Sequence, residues 1–428
     1  MIPDSVHAAL YFGVQAVRSG VSPGMIRRAA KLLDAGPEEL DAHIGRRLSA
    51  THGAPPDWRA WLARQPMADR AASERRQASA GPVRRPRVEY RKTSGSTGAP
   101  FRFMRDREMT AWMDAAMWAV YGWHGIRPGQ RHARFWGRPL QAAAARKQRI
   151  VDSALARRRL GAFDLSPAAA VRFLERLRSF RPVYAYGYPS LMSRFADHCE
   201  DAGVDASRLG LDVAISTGEL LTAEARSRIA SFFGCRVVNE YGCTESGILA
   251  MECEAGVSHV VPVAALPEVV DGDGRAEERG EVAVTDLYGR TGTLLRHRLY
   301  DSARSSSSQV ACDCGRRLAG LEVDTGRLQS FIRLRDGSSI YGAILAYTVP
   351  TTIARFRARQ VALDRIEAEL VPRASVDPGR AIAECHAAWS ARLGPDVRLD
   401  LRAVDEIPPT VGGKLRYFVP LEDAGRPE

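Results

Sequence analysis

Helical patterns alternate with short apolar runs through the middle of the chain, and this alternation constrains the fold more than any other feature. Helical spacing runs through Pro167–Arg178, Ser190–Ala202 and Ala223–Phe233. Each stretch is followed by a compact apolar run, at Pro182–Tyr186, Val213–Ser216 and Arg236–Asn239. Runs this short read as strands buried on both faces, and strand–helix repetition builds a parallel sheet covered by helices. The spacing therefore predicts a doubly wound α/β layer. A chain of 428 residues exceeds one ordinary core, so two or three domains are expected.

The flanks differ in character. Residues 1–50 read as helical, with Val6, Leu10, Val14 and Val17 at helical spacing. Residues 53–92, rich in Pro, Ala, Ser and Arg, read as an exposed connection with short helical pieces. Residues 281–300 read as strands and turns. Beyond Arg327 a smaller unit follows, with mixed strands and a helix near Arg380–Leu393. The predicted division is a helical leader over 1–80, a large domain over 81–327 and a small C-terminal domain over 328–428.

The formal charge is +11, yet only four lysines occur, Lys31, Lys92, Lys147 and Lys414. Much of the surplus sits in Arg64–Arg91 and Arg146–Arg159, without interleaved aromatic residues, so it reads as a solvated face and argues against nucleic acid as a partner. No run of eighteen apolar residues exists, which excludes a membrane span of ordinary length. The N-terminus has no basic and apolar leader, so the cytoplasm is the expected location. Seven cysteines, an odd number in a long chain, favour thiols or a metal site over a disulfide framework.

Several short segments carry chemistry. Thr93-Ser94-Gly95-Ser96-Thr97-Gly98 offers backbone N–H groups and hydroxyls to one anion, and lacks the Gly-Lys-Ser/Thr ending of a Walker loop. Gly218 and Glu219 follow a predicted strand, where a glycine permits close approach to a flat ring. Cys253, His259, Cys312 and Cys314 match a closed tetrahedral zinc site in ligand type and number; buried thiols and a polar strand end are the alternative. Trp136 and Tyr188 stand in aromatic-rich strings that suit a planar acid, or an ordinary core.

In this order the segments resemble the adenylate-forming superfamily, and within it the phenylacetate–CoA ligase-like and deazaflavin-coenzyme synthetase-like branch. The resemblance runs from about Tyr90 to Phe418. It implies an α/β fold with a large N-terminal domain of layered sheets and a small mobile α+β C-terminal domain. It also implies that Thr93–Gly98 hold the ATP phosphates and that Gly218 and Glu219 lie against adenine and ribose. In Tyr241-Gly242-Cys243-Thr244-Glu245 the tyrosine would stack on adenine, Thr244 would contact the α-phosphate and Glu245 would ligate Mg²⁺. Asp301 would accept from both ribose hydroxyls, as an acceptor-only carboxylate suits. Arg327 would donate to ribose or phosphate, and Lys414 would neutralise charge on the reacting oxygens.

Two positions depart from the pattern. Tyr300 stands where glycine is usual, and Gln329-Ser330 replace an acidic pair at the hinge. The implied activity is activation of a carboxylic acid as its acyl-AMP, with pyrophosphate released, then transfer to coenzyme A. Acceptors other than coenzyme A (an amine, a hydroxyl, a carrier-protein thiol) and transfer of AMP itself stay open. So does a non-catalytic nucleotide- or RNA-binding relative. The implied cofactors are ATP, Mg²⁺, a structural Zn²⁺ and coenzyme A; the expected partners are a small-molecule acid, the acyl acceptor and, as a homodimer, a second copy of the chain.

Overall fold

The computed structural model describes residues 4–79, 89–92, 101–136, 142–161, 165–206, 209–291, 293–306, 312–327, 331–335, 339–341, 344–408 and 417–421. Five helices open the chain: α1 (Asp4–Arg18), α2 (Pro23–Leu33), α3 (Pro37–His52), α4 (Trp58–Ala63) and α5 (Arg70–Ser79). A hairpin of β1 (Glu89–Lys92) and β2 (Arg102–Arg105) leads into α6 (Arg107–Tyr121). The predicted alternation then unfolds as β3 (His132–Phe135), α7 (Ala142–Ala154), β4 (Arg157–Leu160), α8 (Pro167–Phe180), β5 (Tyr184–Gly187), α9 (Pro189–Asp201), β6 (Val213–Thr217), α10 (Ala223–Phe233) and β7 (Arg236–Cys243). Local chemistry starts these helices where they start. Ser166 accepts from the Ala169 N–H with Pro167 in the first turn of α8, and Thr222 does the same for α10 through Ala225.

Strands β4, β3, β5, β6 and β7 lie parallel in that order. The sheet continues antiparallel in the order β8 (Gly247–Glu252), β9 (Ser258–Val260), β13 (Gly320–Arg327), β12 (His297–Ser306), β11 (Arg279–Asp286) and β10 (Ala265–Val270), giving eleven strands in all. One face of the parallel part packs on α8, α9 and α10 through Phe135, Phe173, Phe195 and Phe233. The other face packs on α6 and on the N-terminal helices: Tyr11, Leu33, Ile44, Leu48, Trp58 and Leu62 share one core with Trp112, Trp118, Tyr184 and Ile215.

Residues 53–79 are therefore not the exposed connection that their composition suggests. Arg296 shows why. It is buried at 2% exposure, pairs with Glu268, and donates to the carbonyls of Ala63, Gln65 and Gly274. Ala68 exchanges backbone hydrogen bonds with Arg296 and Arg298 at 2.9 Å each, and Ser73 shares a 2.7 Å hydrogen bond with His297. Burial lowers the His297 pKa to about 4, so its ring is neutral in this contact. Polar backbone that composition assigns to solvent is satisfied here by one buried guanidinium.

The small domain comprises β14 (Phe331–Arg333), β15 (Ser339–Tyr341), α11 (Ile344–Thr348), β16 (Ile353–Ala362), β17 (Arg365–Pro372), α12 (Pro378–Leu393), β18 (Arg398–Ala403) and β19 (Phe418–Val419). Its four-stranded sheet, ordered β18-β17-β16-β19, packs Phe356 and Leu370 against Trp389 of α12. Arg373 pairs with Glu224 at 2.5 Å, Arg194 pairs with Glu406, and Leu220 packs on the small domain's core. The small domain thus rests on α9, α10 and the segment after Gly218. Among the described residues no helix is long and apolar enough to cross a membrane.

Candidate active site

At the end of β6 the backbone turns at Gly218, whose φ of +75° is a left-handed conformation that a side chain would strain. The Glu219 carboxylate accepts from the Ser190 N–H at 3.2 Å, which fixes this segment to the start of α9. On β7 the Tyr241 hydroxyl donates to Asp301 Oδ2 of β12 at 2.8 Å. Asp301 in turn stands opposite Arg327 in the β12–β13 register; the Arg327 side chain lies outside the described residues. Three motif positions, with Tyr241 and Asp301 60 residues apart in the chain, are thereby brought to one place.

Gly242 allows β7 to meet β8 closely, since a Cβ there would sit 2.4 Å from the Gly247 carbonyl oxygen. The intervening turn presents Thr244, which is exposed, and Glu245. It is held from beneath. The Arg105 guanidinium donates to the Thr244 carbonyl, and the Ser246 hydroxyl donates to Asp286 at 2.8 Å. Burial raises the Asp286 pKa to about 7. Arg105 belongs to β2, the strand that follows the Thr93–Gly98 loop. Sequence reasoning missed it, because nothing distinguishes one arginine among so many.

Arg298 and Arg304 stand three residues either side of Asp301 in the sequence. Arg298 forms an ion pair with buried Glu281, which also accepts from the Tyr300 N–H at 3.1 Å. Tyr300 adopts φ +62°, the backbone region that glycine favours. The glycine-like turn before Asp301 is kept without glycine, and Glu281 ties it down from both sides. The phosphate-loop residues Thr93, Ser94, Gly95, Ser96, Thr97 and Gly98, the hinge pair Gln329-Ser330 and Lys414 lie outside the described residues.

Trp136 and Tyr188 come together, with ring centroids 4.3 Å apart, and Trp136 stacks on Tyr186 at 5.7 Å. The Arg134 guanidinium lies over Trp136 and Tyr186 at 5.1 and 5.2 Å. Behind Tyr186 stands a buried carboxylate that the sequence did not single out. Glu240 accepts hydroxyl donations from Tyr121 (2.7 Å), Thr217 (2.9 Å) and Tyr186 (3.3 Å). Its burial raises its pKa against the pull of those three donors.

Cys253, His259, Cys312 and Cys314 also converge, with their ligand atoms all within 4.8 Å of one another. The Cys253 and Cys312 sulfurs are 3.6 Å apart, and Cys314 Sγ is 3.3 Å from His259 Nε2. Tetrahedral zinc with Zn–S bonds near 2.3 Å needs sulfurs about 3.8 Å apart. His259 Nδ1 faces the Leu318 carbonyl at 3.2 Å, the outer contact that directs Nε2 toward a metal. The residues present fit a zinc ion.

Residues 92–288 match the family model described as AMP-binding enzyme. That stretch, just under half of the chain, is similar to AMP-binding enzymes. That match takes in the loop, the Gly218 turn and the Tyr241–Glu245 turn. Among curated proteins the chain is similar to Protein CapK of Staphylococcus aureus, 22% identical over 332 residues, covering 76% of this chain and 73% of that protein. In fold the chain is similar to 2-hydroxyisobutyryl-CoA ligase in the postadenylation state in complex with R3-HIB-AMP. That likeness has a TM-score of 0.68 and 18% identity, covering 95% of this chain and 91% of that one. A benzoate CoA ligase from Burkholderia xenovorans is similar at TM-score 0.52 and 16% identity, over 74% of this chain and 65% of that one. The α/β architecture with a large and a small domain is thus that of known adenylate-forming ligases.

Proposed function

We propose that this protein activates a carboxylic acid with Mg·ATP, forming an acyl-adenylate and pyrophosphate, and passes the acyl group to coenzyme A. The observation that carries this reading is the convergence of Tyr241, Asp301 and the Arg327 position beside the Thr244–Glu245 turn. Such a constellation serves a nucleoside: a ring face for the base, an acceptor carboxylate for the ribose diol, and a turn with a hydroxyl and a carboxylate for phosphate and metal.

In the reaction the acid's carboxylate oxygen attacks the α-phosphorus, and the bond to the pyrophosphate oxygen breaks. The chain's part is to position and to neutralise. Asp301 holds the ribose and Tyr241 covers the base. Thr244 contacts the α-phosphate, its carbonyl fixed by Arg105. Lys414 donates to the reacting oxygens, and Thr93–Gly98 cradle the leaving phosphates. Glu245 would hold Mg²⁺, which supplies charge neutralisation on the phosphates. The stack of Trp136, Tyr186 and Tyr188 supports an aryl acid and, with it, a phenylacetate–CoA ligase-like assignment. The acyl-CoA ligases of similar fold support coenzyme A as acceptor.

The test is pyrophosphate release over a panel of acids with Mg·ATP, comparing wild type with Lys414→Ala. Release that depends on one acid and falls on the order of a hundredfold in the variant is expected. Absence of release with every acid would sink the reading. Assay of products with and without coenzyme A separates a thioester from an amide, an ester or an AMP conjugate.

The Cys253–His259–Cys312–Cys314 cluster is read as structural zinc, because four protein ligands leave no open position. One zinc per chain is expected by elemental analysis. Cys314→Ser is expected to release it and to lower the Tm by more than about 5 °C. Purified protein that holds no zinc, and whose Tm a chelator leaves in place, would count against the assignment.

A further inference from the structure

The acyl region carries a cation that the adenylation step leaves unused. Strand β3 places His132, Arg134 and Trp136 on one face of the sheet, with Phe135 on the other against α8 and α9. The register sets Arg134 beside Tyr186 of β5 and Arg159 of β4. Its guanidinium lies over two aromatic rings. Its Nε is buried with no hydrogen-bond partner, and among the described residues no carboxylate pairs with it. A buried guanidinium N–H left unmatched calls for an explanation, and a ligand acceptor is one.

The surroundings decide the sign of that ligand. Arg157 and Arg159 flank the site from β4, and both are taken up by Asp152. Three guanidinium groups thus face one paired aspartate. Glu240, the other carboxyl nearby, is occupied by three hydroxyl donors and is pushed by burial toward its neutral form. The region therefore has surplus positive charge at the C-terminal end of parallel strands, where ligands of open α/β sheets bind. Trp136 and Tyr186 stack beside that charge, with Tyr188 buried behind Trp136 in the core shared with α8, α9 and α10. Arginine suits such a place, since its planar fork stacks on rings while its edge pairs bidentately with a carboxylate.

We propose that Arg134 is a specificity residue of the acyl pocket, and that the acid it selects is planar and carries a second carboxylate. One carboxylate is activated at the α-phosphate; the other is held by Arg134 along the aromatic wall. This inference rests on the adenylation reading and narrows its substrate class.

The experiment measures kcat/KM for pyrophosphate release with matched acid pairs, benzoate against the benzene dicarboxylates and phenylacetate against its ring-carboxylated analogues. Wild type is expected to prefer a diacid on the order of a hundredfold, the discrimination that a pocket built to pair a polar group achieves at the least. In Arg134→Met, which keeps the stem over the rings, the preference ratio is expected to fall to within about threefold, with the loss appearing in KM for the diacid. Two outcomes would overturn the inference: a wild type that turns over monoacids as well as diacids, or a variant in which both acids slow equally and the ratio stays. Wild type alone tests the first if the variant misfolds. Silence with every acid would instead strike the adenylation reading, so the two failures are distinguishable.

Discussion

Tyr241 and Asp301 show how one hydrogen bond can organise a binding site before the ligand arrives. The phenol donates to Asp301 at 2.8 Å, so that carboxylate is held in one direction by a partner on another strand, as the proposed ribose contact requires. Tyr241→Phe keeps the ring and removes that restraint. The KM for ATP is expected to rise about tenfold while the Tm stays near that of wild type. Steady-state kinetics at saturating acid will check it, and an unchanged KM would show that Asp301 is oriented by other contacts. The meeting of Tyr241 with Asp301 was legible in the sequence as an order of residue types: an aromatic, a hydroxyl and two carboxylates at fixed spacing. Glu240, Arg105 and Arg134 were not. Their meaning comes from what surrounds them, and in an arginine-rich chain identity alone carries little information.

At the scale of elements, the β5–β7 and α8–α10 alternation was readable because strands buried on both faces are continuously apolar and helix caps mark the boundaries. The docking of α4 and α5 was not readable. The Pro, Ala, Ser and Arg richness of the segment suggests solvent, and Arg296, more than two hundred residues away, supplies a buried partner for the backbone around Ala63–Gln65. Arg296 stands five residues before Asp301 and points into a cage of carbonyls and Glu268. Arg296→Ala leaves that carboxylate and those carbonyls buried without their donor. A loss of about 3 kcal/mol is expected in urea unfolding. A loss under about 1 kcal/mol would mean that water replaces the guanidinium. The same substitution is expected to loosen β12 and thereby the register of Asp301.

For the whole molecule, the relation between the two domains depends on few contacts. Arg373 bridges to Glu224, Arg194 to Glu406, and Leu220 leans on the small domain's core beside the adenine segment. Partly exposed ion pairs of this kind are individually weak, about 1 kcal/mol or less, which suits the proposed movement of the small domain between two steps. Arg373→Ala combined with Arg194→Ala is expected to speed proteolytic cleavage between the domains about fivefold, with little change in the Tm of the large domain. Limited proteolysis with time-resolved mass spectrometry reads this directly, and an unchanged cleavage rate would place the restraint in the Leu220 contact. The division into large and small domains was legible from the change of pattern after Arg327. The pose of one on the other was not, since it is decided by surface charges that no periodicity marks.

The shared core of the N-terminal helices with the far part of the sheet has a further consequence, in time. Arg47 and Thr51 of α3 donate to the carbonyl of Leu287, 240 and 236 positions later in the chain. A ribosome adding 5–20 residues per second takes roughly ten to fifty seconds to cover that gap. Through that interval α3 lacks its Leu287 and Tyr288 partners, and the core it shares with α6, β5 and β6 is incomplete. The nascent chain therefore depends on delay, on chaperones or on its arginine-rich surface to stay unaggregated until β11 and β12 emerge to complete the core.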